Sequence, residues 1–327
     1  MNQKLQDRCN LLAMNRKQLS DNFKWESDLM NYASATIYTG KNQQVDIALV
    51  KKCEALLKSK TGAFSEFRGN VKMVLLCKMA MAEDAEAYFE QVEAIYHMLH
   101  KSVWMGNEYK IMAAMTILDY GKEQTPEVYV ERTNEIYARM KKEHSWLTSD
   151  EDIPFAAMLA VSGLEIDFLV EEMEKIYSAL KDKYYDNNAV QSLSHVLCVI
   201  PGTAEEKCAK FNQIFDGLKQ KKHKYGSGYE LAILGALVTV SVSEEQIVQD
   251  IIDADDYLKT LKGFGDMSLG STRRRMYAVL QVLDEYRQEP SLEGNMVLTS
   301  MLAITILAEI CMLIAVTSIM STSSSGN

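Results

Sequence analysis

A helical period recurs in the pattern of apolar and polar positions along the chain. Between residues 166 and 180 the apolar positions are separated by three or four residues, which places them on one face of a helix. These positions are Ile166, Leu169, Met173, Ile176 and Leu180. The other face carries Glu171, Glu172, Lys175, Ser178 and Lys181, so the segment predicts an amphipathic helix with one solvated face.

The same pattern returns about every 40 residues. Four copies carry an isoleucine followed by an aromatic residue, and the aromatic positions are separated by 41, 40 and 38 residues: Tyr96, Tyr137, Tyr177 and Phe215. Each copy precedes a segment that is apolar on nearly every side, at 111–118, 155–161, 189–200 and 231–240. A helix without a polar face has to be buried. We therefore expect hairpins whose second helix lies between its neighbours.

The glycines between these segments also indicate hairpins. Gly121, Gly163 and Gly202 follow successive second helices, where glycine often supplies a left-handed cap. No stretch alternates convincingly with a period of two, so almost no β-structure is expected. The sequence predicts an all-α fold in which tandem helical hairpins of about 40 residues form an α-solenoid. A closed α/α toroid has the same local pattern and remains the alternative architecture.

The C-terminal part differs from the repeats. An apolar run from Met296 to Met320 precedes a serine-rich end, and its 25 residues are long enough to cross a hydrocarbon core of about 30 Å. Glu309 lies near its middle and costs about 2.5–3.5 kcal/mol on insertion scales. We predict a helical-repeat domain at 1–290 and an apolar C-terminal helix within 291–327. This helix either spans a membrane, which we favour, or caps the array.

Composition and charge narrow the class of protein. The chain has 47% hydrophobic and 24% charged residues, as globular proteins do. Its net charge of −10 argues against a nucleic-acid binder. The first residues contain no apolar stretch of the kind a secretory signal needs, and the six cysteines form no CxxC pair. We expect reduced, mostly buried thiols and a cytoplasmic protein, with anchoring to the membrane by the C-terminus as a further expectation.

Two basic clusters are candidate binding sites. Arg273, Arg274 and Arg275 follow a glycine-rich connection and open a helix, where arginines and free backbone N–H groups could meet an anion. The competing interpretation, which we favour, pairs them with acids of the preceding helix: Asp253, Asp255 and Asp256. The run from Lys219 to Lys224 fits a solvated helix C-terminus, where the helix dipole favours cations. It would also suit contact with anionic lipid if the tail enters a membrane.

No catalytic constellation is visible in the sequence. There is no GxSxG, no P-loop and no GxGxxG after a strand, so no catalytic residue and no cofactor is assigned. Glu93, His97 and His100 share a helix face but have no further ligand at zinc spacing, so no metal site is assigned.

The chain resembles an uncharacterised all-helical bacterial family known only as a domain of unknown function. The resemblance rests on the Ile-Tyr hairpins, on Phe67-Arg68-Gly69-Asn70 before an early second helix, and on the apolar tail that ends in serines. It implies no activity and no functional residue. The leading hypothesis is a protein-interaction scaffold with a protein partner, no nucleic acid, and a membrane tether at its C-terminus. The alternative is an enzyme or ligand-binding protein of the α/α-toroid type that acts on an anionic small molecule.

Overall fold

A computed structural model of the chain describes residues 1–102 and 108–287, together with Leu313 and Val316. These residues form fourteen α-helices and three short 3-10 helices, and they contain no strand. The α-helices are α1 (Gln3–Asn22), α2 (Asp28–Gly40), α3 (Ile47–Lys60), α4 (Lys72–Met81), α5 (Ala85–Ser102), α6 (Glu108–Tyr120), α7 (Pro126–Glu143), α8 (Ile153–Val161), α9 (Ile166–Leu180), α10 (Asn187–Leu197), α11 (Ala204–Gln220), α12 (Glu230–Gly235), α13 (Glu244–Thr260) and α14 (Ser271–Arg287). The 3-10 helices are Glu66–Arg68, Asp150–Asp152 and Ala236–Thr239.

Successive helices pack as tandem hairpins, from α3 with α4 to α13 with α14. The first helices also contact one another in chain order, because α5 packs on α3 and α7, and α11 packs on α9 and α13. The second helices do the same, since α8 packs on α6, and α12 packs on α10 and α14. The predicted all-α fold is confirmed. The choice between an open solenoid and a closed toroid stays a prediction.

The contacts divide the chain into two compact units. Unit 1 contains Met1–Met14, Thr39–Asn42 and the described part of Leu164–Ala315, and unit 2 contains Asn15–Tyr38, Gln43–Gly163 and Val316. The predicted boundary at residue 290 lies outside the described residues and stays a prediction. The run from Met296 to Met320 also lies outside them, except for Leu313 and Val316. No described helix combines the length and the apolar character that a membrane span requires.

The second helices are buried, as their composition predicts. In α8 every side chain from Ile153 to Ala160 is buried. Helices α6, α8 and α10 begin two or three residues before the predicted apolar segments, and α12 begins one residue before its segment. The last predicted segment divides into α12 and a 3-10 helix. At the junction Gly235 lies against α10, where a Cβ atom would be 2.5 Å from a methyl group of Leu193.

The glycines that follow the second helices have two different roles. Gly163 and Gly202 have φ angles of 72° and 110°, which confirms the predicted left-handed conformation at both positions. The prediction is wrong for Gly121, which is absent from the residues with positive φ. Glycine is needed there for space, because a Cβ atom would lie 2.6 Å from the ring of Tyr129 and from the carbonyl oxygen of Ile117.

Within unit 1 the start of α1 packs on the last described helices. The Nη2 atom of Arg8 lies 2.7 Å from the carboxylate of Asp284 in α14, and both side chains are buried. Tyr257 of α13 accepts a hydrogen bond from Gln6 and donates one to Asn10. The N-terminal residues are therefore an integral part of this unit.

Candidate functional site

The arginine cluster at the start of α14 is largely neutralised by acids. The Nε atom of Arg274 donates to Asp255 at 2.6 Å, and its Nη1 atom donates to Asp266 at 2.6 Å. The Nε atom of Arg275 donates to the other oxygen of Asp255 at 3.0 Å. Pairing with the preceding helix thus operates through Asp255 for two of the three arginines.

The other two acids of that helix make different contacts. Asp253 binds the amino group of Met1, whereas Asp256 is exposed. The pairing hypothesis named three acids, and the described contacts bring only Asp255 to the arginines.

Arg273 differs from the other two arginines because no acid neutralises its charge within the described residues. It is partly exposed and has no ion pair or side-chain hydrogen bond within the described part of the chain. It lines a surface pocket of about 330 Å³ together with Asp266, Ser268, Leu269, Gly270, Ser271 and Thr272. The Asp266 carboxylate in the same pocket would repel an anion. The predicted anion site therefore stays a prediction that depends on Arg273.

One group of side chains has the spacing of metal ligands. Ligand atoms of His223, Asp255 and Asp256 lie within 4.8 Å of one another, and His223 Nδ1 is 3.2 Å from Asp255 Oδ2. Both oxygens of Asp255 already accept from guanidinium groups. A metal ion would have to compete with those two charges, so the geometry favours an ion-pair network over a metal centre.

Two buried ionisable groups lie at the starts of second helices in unit 2. Burial lowers the pKa of the Lys110 ammonium, although Asp150 and Glu66 oppose this shift. Burial raises the pKa of the Asp152 carboxyl to about 7. The Asp152 carboxylate accepts a hydrogen bond from the backbone N–H of Ser149 at 2.9 Å and completes a capping box. This contact gives Asp152 a structural role at a helix start.

The cysteines of the described residues are free and buried: Cys9, Cys53, Cys77, Cys198 and Cys208. Burial raises the pKa of the Cys9 and Cys77 thiols to about 12. These thiols therefore stay protonated at neutral pH and are poor nucleophiles and metal ligands. The prediction of buried thiols is confirmed for these five, and Cys311 lies outside the described residues.

The histidines near the end of α5 show no ligand geometry in the described side chains. His97 is exposed, and its ring lies edge-on to Tyr96 with the ring centroids 5.4 Å apart. The side chain of His100 lies outside the described residues.

The feature that sequence reasoning missed is a set of bare apolar side chains in five of the loops that join one helix to the next. Unit 2 carries three of them and unit 1 carries two, each 98–102% exposed: Trp25, Phe64, Trp146, Tyr185 and Met267. Their spacings are 39, 82, 39 and 82 residues, which is one or two repeats. Trp104 falls at the same spacing but lies outside the described residues. A search for large apolar residues in otherwise polar connections would have found them.

Hydrogen bonds place these loops next to one another in unit 2. Glu26, beside Trp25, pairs with Lys72 at 2.5 Å. Asn70 donates to Glu108 at 3.0 Å, and the Tyr109 hydroxyl donates to Glu151 at 3.1 Å. Each bond joins the start of one second helix, or the loop before it, to that of the next. The loops that carry Trp25, Phe64 and Trp146 thus follow one edge of this unit, which we call the loop edge.

The corresponding edge of unit 1 is strongly basic. We define the basic edge as residues 181–188, 219–230 and 259–275. Its members touch, because Arg275 donates to the carbonyl oxygen of Lys224 and a Cβ atom on Gly226 would lie 2.8 Å from the Thr272 methyl group. Apart from Arg274 and Arg275, which pair with Asp255, nine lysines and arginines lie there against four acidic residues, which are Asp182, Asp186, Glu230 and Asp266.

A comparison with protein families decides the classification. The profile of a family described as "Protein of unknown function (DUF4003)" matches residues 15–315. The chain belongs to this family. It is also 22% identical over 258 residues to a Bacillus subtilis (strain 168) protein named "Uncharacterized protein YeaA", and the match covers 76% of each chain. No solved structure gives a significant match. The resemblance to an uncharacterised all-helical family is confirmed.

Proposed function

We propose that this DUF4003 protein is a cytoplasmic interaction scaffold. The observation that carries the proposal is the position of the bare apolar side chains: each of the five lies in a loop between two successive helices, and they are separated by one or two repeats. Single exposed apolar residues are common on protein surfaces and need no explanation. A series that returns with the repeat is different, and tryptophan and tyrosine are the residues most enriched at binding hot spots.

The alternative function has less support. An enzyme or ligand-binding protein of the α/α-toroid type would use the arginine cluster on an anionic substrate. Arg274 and Arg275 are held by Asp255, so only Arg273 is left to contact such a ligand. We therefore retain the scaffold as the single proposal.

Site-specific photo-crosslinking in cells tests the contact surface. A photoreactive amino acid replaces Phe64 or Trp146 at the loop edge of unit 2, and Phe168 in the matched control. Phe168 is 48% exposed and lies at the start of α9, away from the hairpin loops. We expect a discrete adduct of the same size from both loop positions and none from the control. Adducts only from Phe168, or from none of the positions, would remove the loop edge as the contact surface.

The membrane tether is a separate part of the proposal and depends on the run from Met296 to Met320. Carbonate extraction compares the full chain with a truncation that ends at Pro290. We expect the full chain alone to remain in the membrane pellet. If both proteins are extracted, the tether is refuted while the crosslinking result stands.

A further inference from the structure

The basic edge of unit 1 combines exposed lysines with bare apolar side chains. Six exposed lysines lie on it without an ion pair or hydrogen bond to their side chains in the described part of the chain: Lys181, Lys219, Lys221, Lys222, Lys224 and Lys262. Two bare apolar side chains, Tyr185 and Met267, project from the same edge. The concentration of cations is notable in a chain whose net charge is −10.

The packing of unit 1 brings these residues to one side. Helices α9, α11 and α13 contact one another in chain order, and so do α10, α12 and α14. Lys183, after α9, pairs with Asp216 near the end of α11, and His223, after α11, contacts Asp255 near the end of α13. The loops that follow α9, α11 and α13 therefore lie at one end. The hydrogen bond from Arg275 to Lys224 and the close approach of Gly226 to Thr272 join two of these loops directly.

We propose that the basic edge docks on the surface of an anionic lipid membrane, with Tyr185 and Met267 entering the headgroup region. The inference rests on the proposed scaffold function and names the surface that this part of the scaffold contacts. Lysines near an anionic bilayer are each attracted to it, and exposed aromatic rings are favoured at the membrane interface. Screening limits the repulsion from acidic residues farther away than about 10 Å.

The arrangement fits a bilayer better than a folded protein partner. A protein interface has a contiguous apolar core that is depleted of charged residues. On the basic edge Tyr185 and Met267 share their loops with the exposed Lys181 and Lys262, whereas the loops of Phe64 and Trp146 contain no lysine. A bilayer interface accepts apolar side chains singly between lysine contacts to headgroups.

Vesicle flotation with the full chain tests the inference. The vesicles are phosphatidylcholine alone or phosphatidylcholine mixed with phosphatidylserine. We expect flotation with the mixed vesicles that falls as salt is raised. The variant Lys221→Glu/Lys222→Glu should weaken this binding by about tenfold or more, since each lysine near an anionic surface contributes several-fold. Tyr185→Ser/Met267→Ser should weaken it as well, with less dependence on salt.

Matched controls separate this surface from general effects of charge and hydrophobicity. Lys41→Glu/Lys52→Glu makes the same change of charge at exposed positions outside the basic edge. Phe168→Ser removes a partly exposed ring at the opposite end of α9. Both controls should float like the parent protein. Circular dichroism melting of all variants checks that each is folded.

The outcomes distinguish this inference from the scaffold proposal. The proposed lipid contact is overturned if the protein floats equally with both kinds of vesicle. It is also overturned if the basic-edge variants and their controls lose flotation equally. Absence of flotation together with crosslinks from Phe64 and Trp146 also overturns it and leaves the scaffold standing with a protein partner. Flotation that depends on the basic edge without any crosslink supports the lipid surface and removes the protein contact.

Discussion

Asp255 and Arg274 form an ion pair of 2.6 Å in which the two side chains are only 2% and 3% exposed. The pair joins α13 to α14, and Arg275 and His223 contact the second oxygen of the same carboxylate. Asp255 thus links α13, α14 and the loop that precedes α12.

Removal of Asp255 should strongly destabilise unit 1. In Asp255→Ala the buried Arg274 guanidinium loses its buried counter-charge and keeps only the exposed Asp266. Breaking a buried pair costs about 3–5 kcal/mol. The neighbouring Asp256 is exposed, so Asp256→Ala should change the free energy of unfolding by less than about 0.5 kcal/mol. Urea unfolding followed by circular dichroism compares the two. Equal small effects would mean that Asp266 alone suffices for Arg274.

Substitution of Arg273 should stabilise the protein slightly, whereas loss of the ion pair of Arg274 should destabilise it. It lies in the first turn of α14 without a partner in the described residues, where its charge opposes the helix dipole. We expect Arg273→Gln to raise the stability by a few tenths of a kcal/mol at low salt and to have no effect at high salt. Thermal unfolding with and without inorganic phosphate also tests the anion site. A rise in Tm with phosphate that Arg273→Gln abolishes would support that site.

The arginine cluster shows what the sequence could and could not predict at the candidate site. The local sequence predicts that cations at the start of a helix need compensation, and this is correct for Arg274. Which acid provides it depends on how α13 turns relative to α14. Asp253, Asp255 and Asp256 are too close in sequence for periodicity alone to choose among them. The structure selects Asp255 because it is the buried one.

Asp152 should make the stability of unit 2 depend on pH. Its pKa is about 7 in the folded protein because of burial, against an ordinary value of 3.8. Between these values the folded chain keeps a proton that the unfolded chain loses, so stability falls as pH rises from about 4 to about 7. In Asp152→Asn this contribution disappears, while the amide oxygen can still accept from Ser149. The variant should therefore gain stability over the parent as pH rises, by up to ~1.4 kcal/mol per unit.

Urea unfolding at pH 5 and pH 8 measures the Asp152 effect. The exposed Asp182 provides the control, because Asp182→Asn should leave the difference between the two pH values unchanged. A parent and an Asp152→Asn variant with parallel pH profiles would show that the Asp152 carboxyl titrates at its ordinary pKa in the folded chain.

The fold was more predictable than the surface because buried positions have to be apolar, and they recur in the sequence with the helical period and with the repeat. Second helices such as α8 have no polar face, and the isoleucines of the first helices recur with the repeat. Exposed residues face no such constraint, so Trp146 or Tyr185 in a loop looks like any other aromatic residue until its exposure is known. Gly121 shows the same limit, since its role comes from the Tyr129 ring in the next helix.

The pair of Lys207 and Glu172 should respond asymmetrically to substitution. The Lys207 ammonium lies 2.5 Å from the Glu172 carboxylate, with side-chain exposures of 2% and 8%, and it joins α11 to α9. Glu172→Leu leaves a buried ammonium that still donates to the Ile200 carbonyl oxygen at 3.2 Å. Lys207→Met leaves a carboxylate that keeps the exposed Lys175 at 4.0 Å. We therefore expect Glu172→Leu to cost about 3–5 kcal/mol and Lys207→Met to cost less.

The double variant Glu172→Leu/Lys207→Met decides whether the pair itself stabilises the fold. Hydrophobic replacement of a whole buried pair is often neutral, because both desolvation penalties disappear together with the attraction. We expect the double variant to recover most of the stability that Glu172→Leu loses, which gives a large coupling energy in the double-mutant cycle. Additive losses would show that each side chain is held by its other neighbours. In that case the contact between α9 and α11 depends on apolar packing alone.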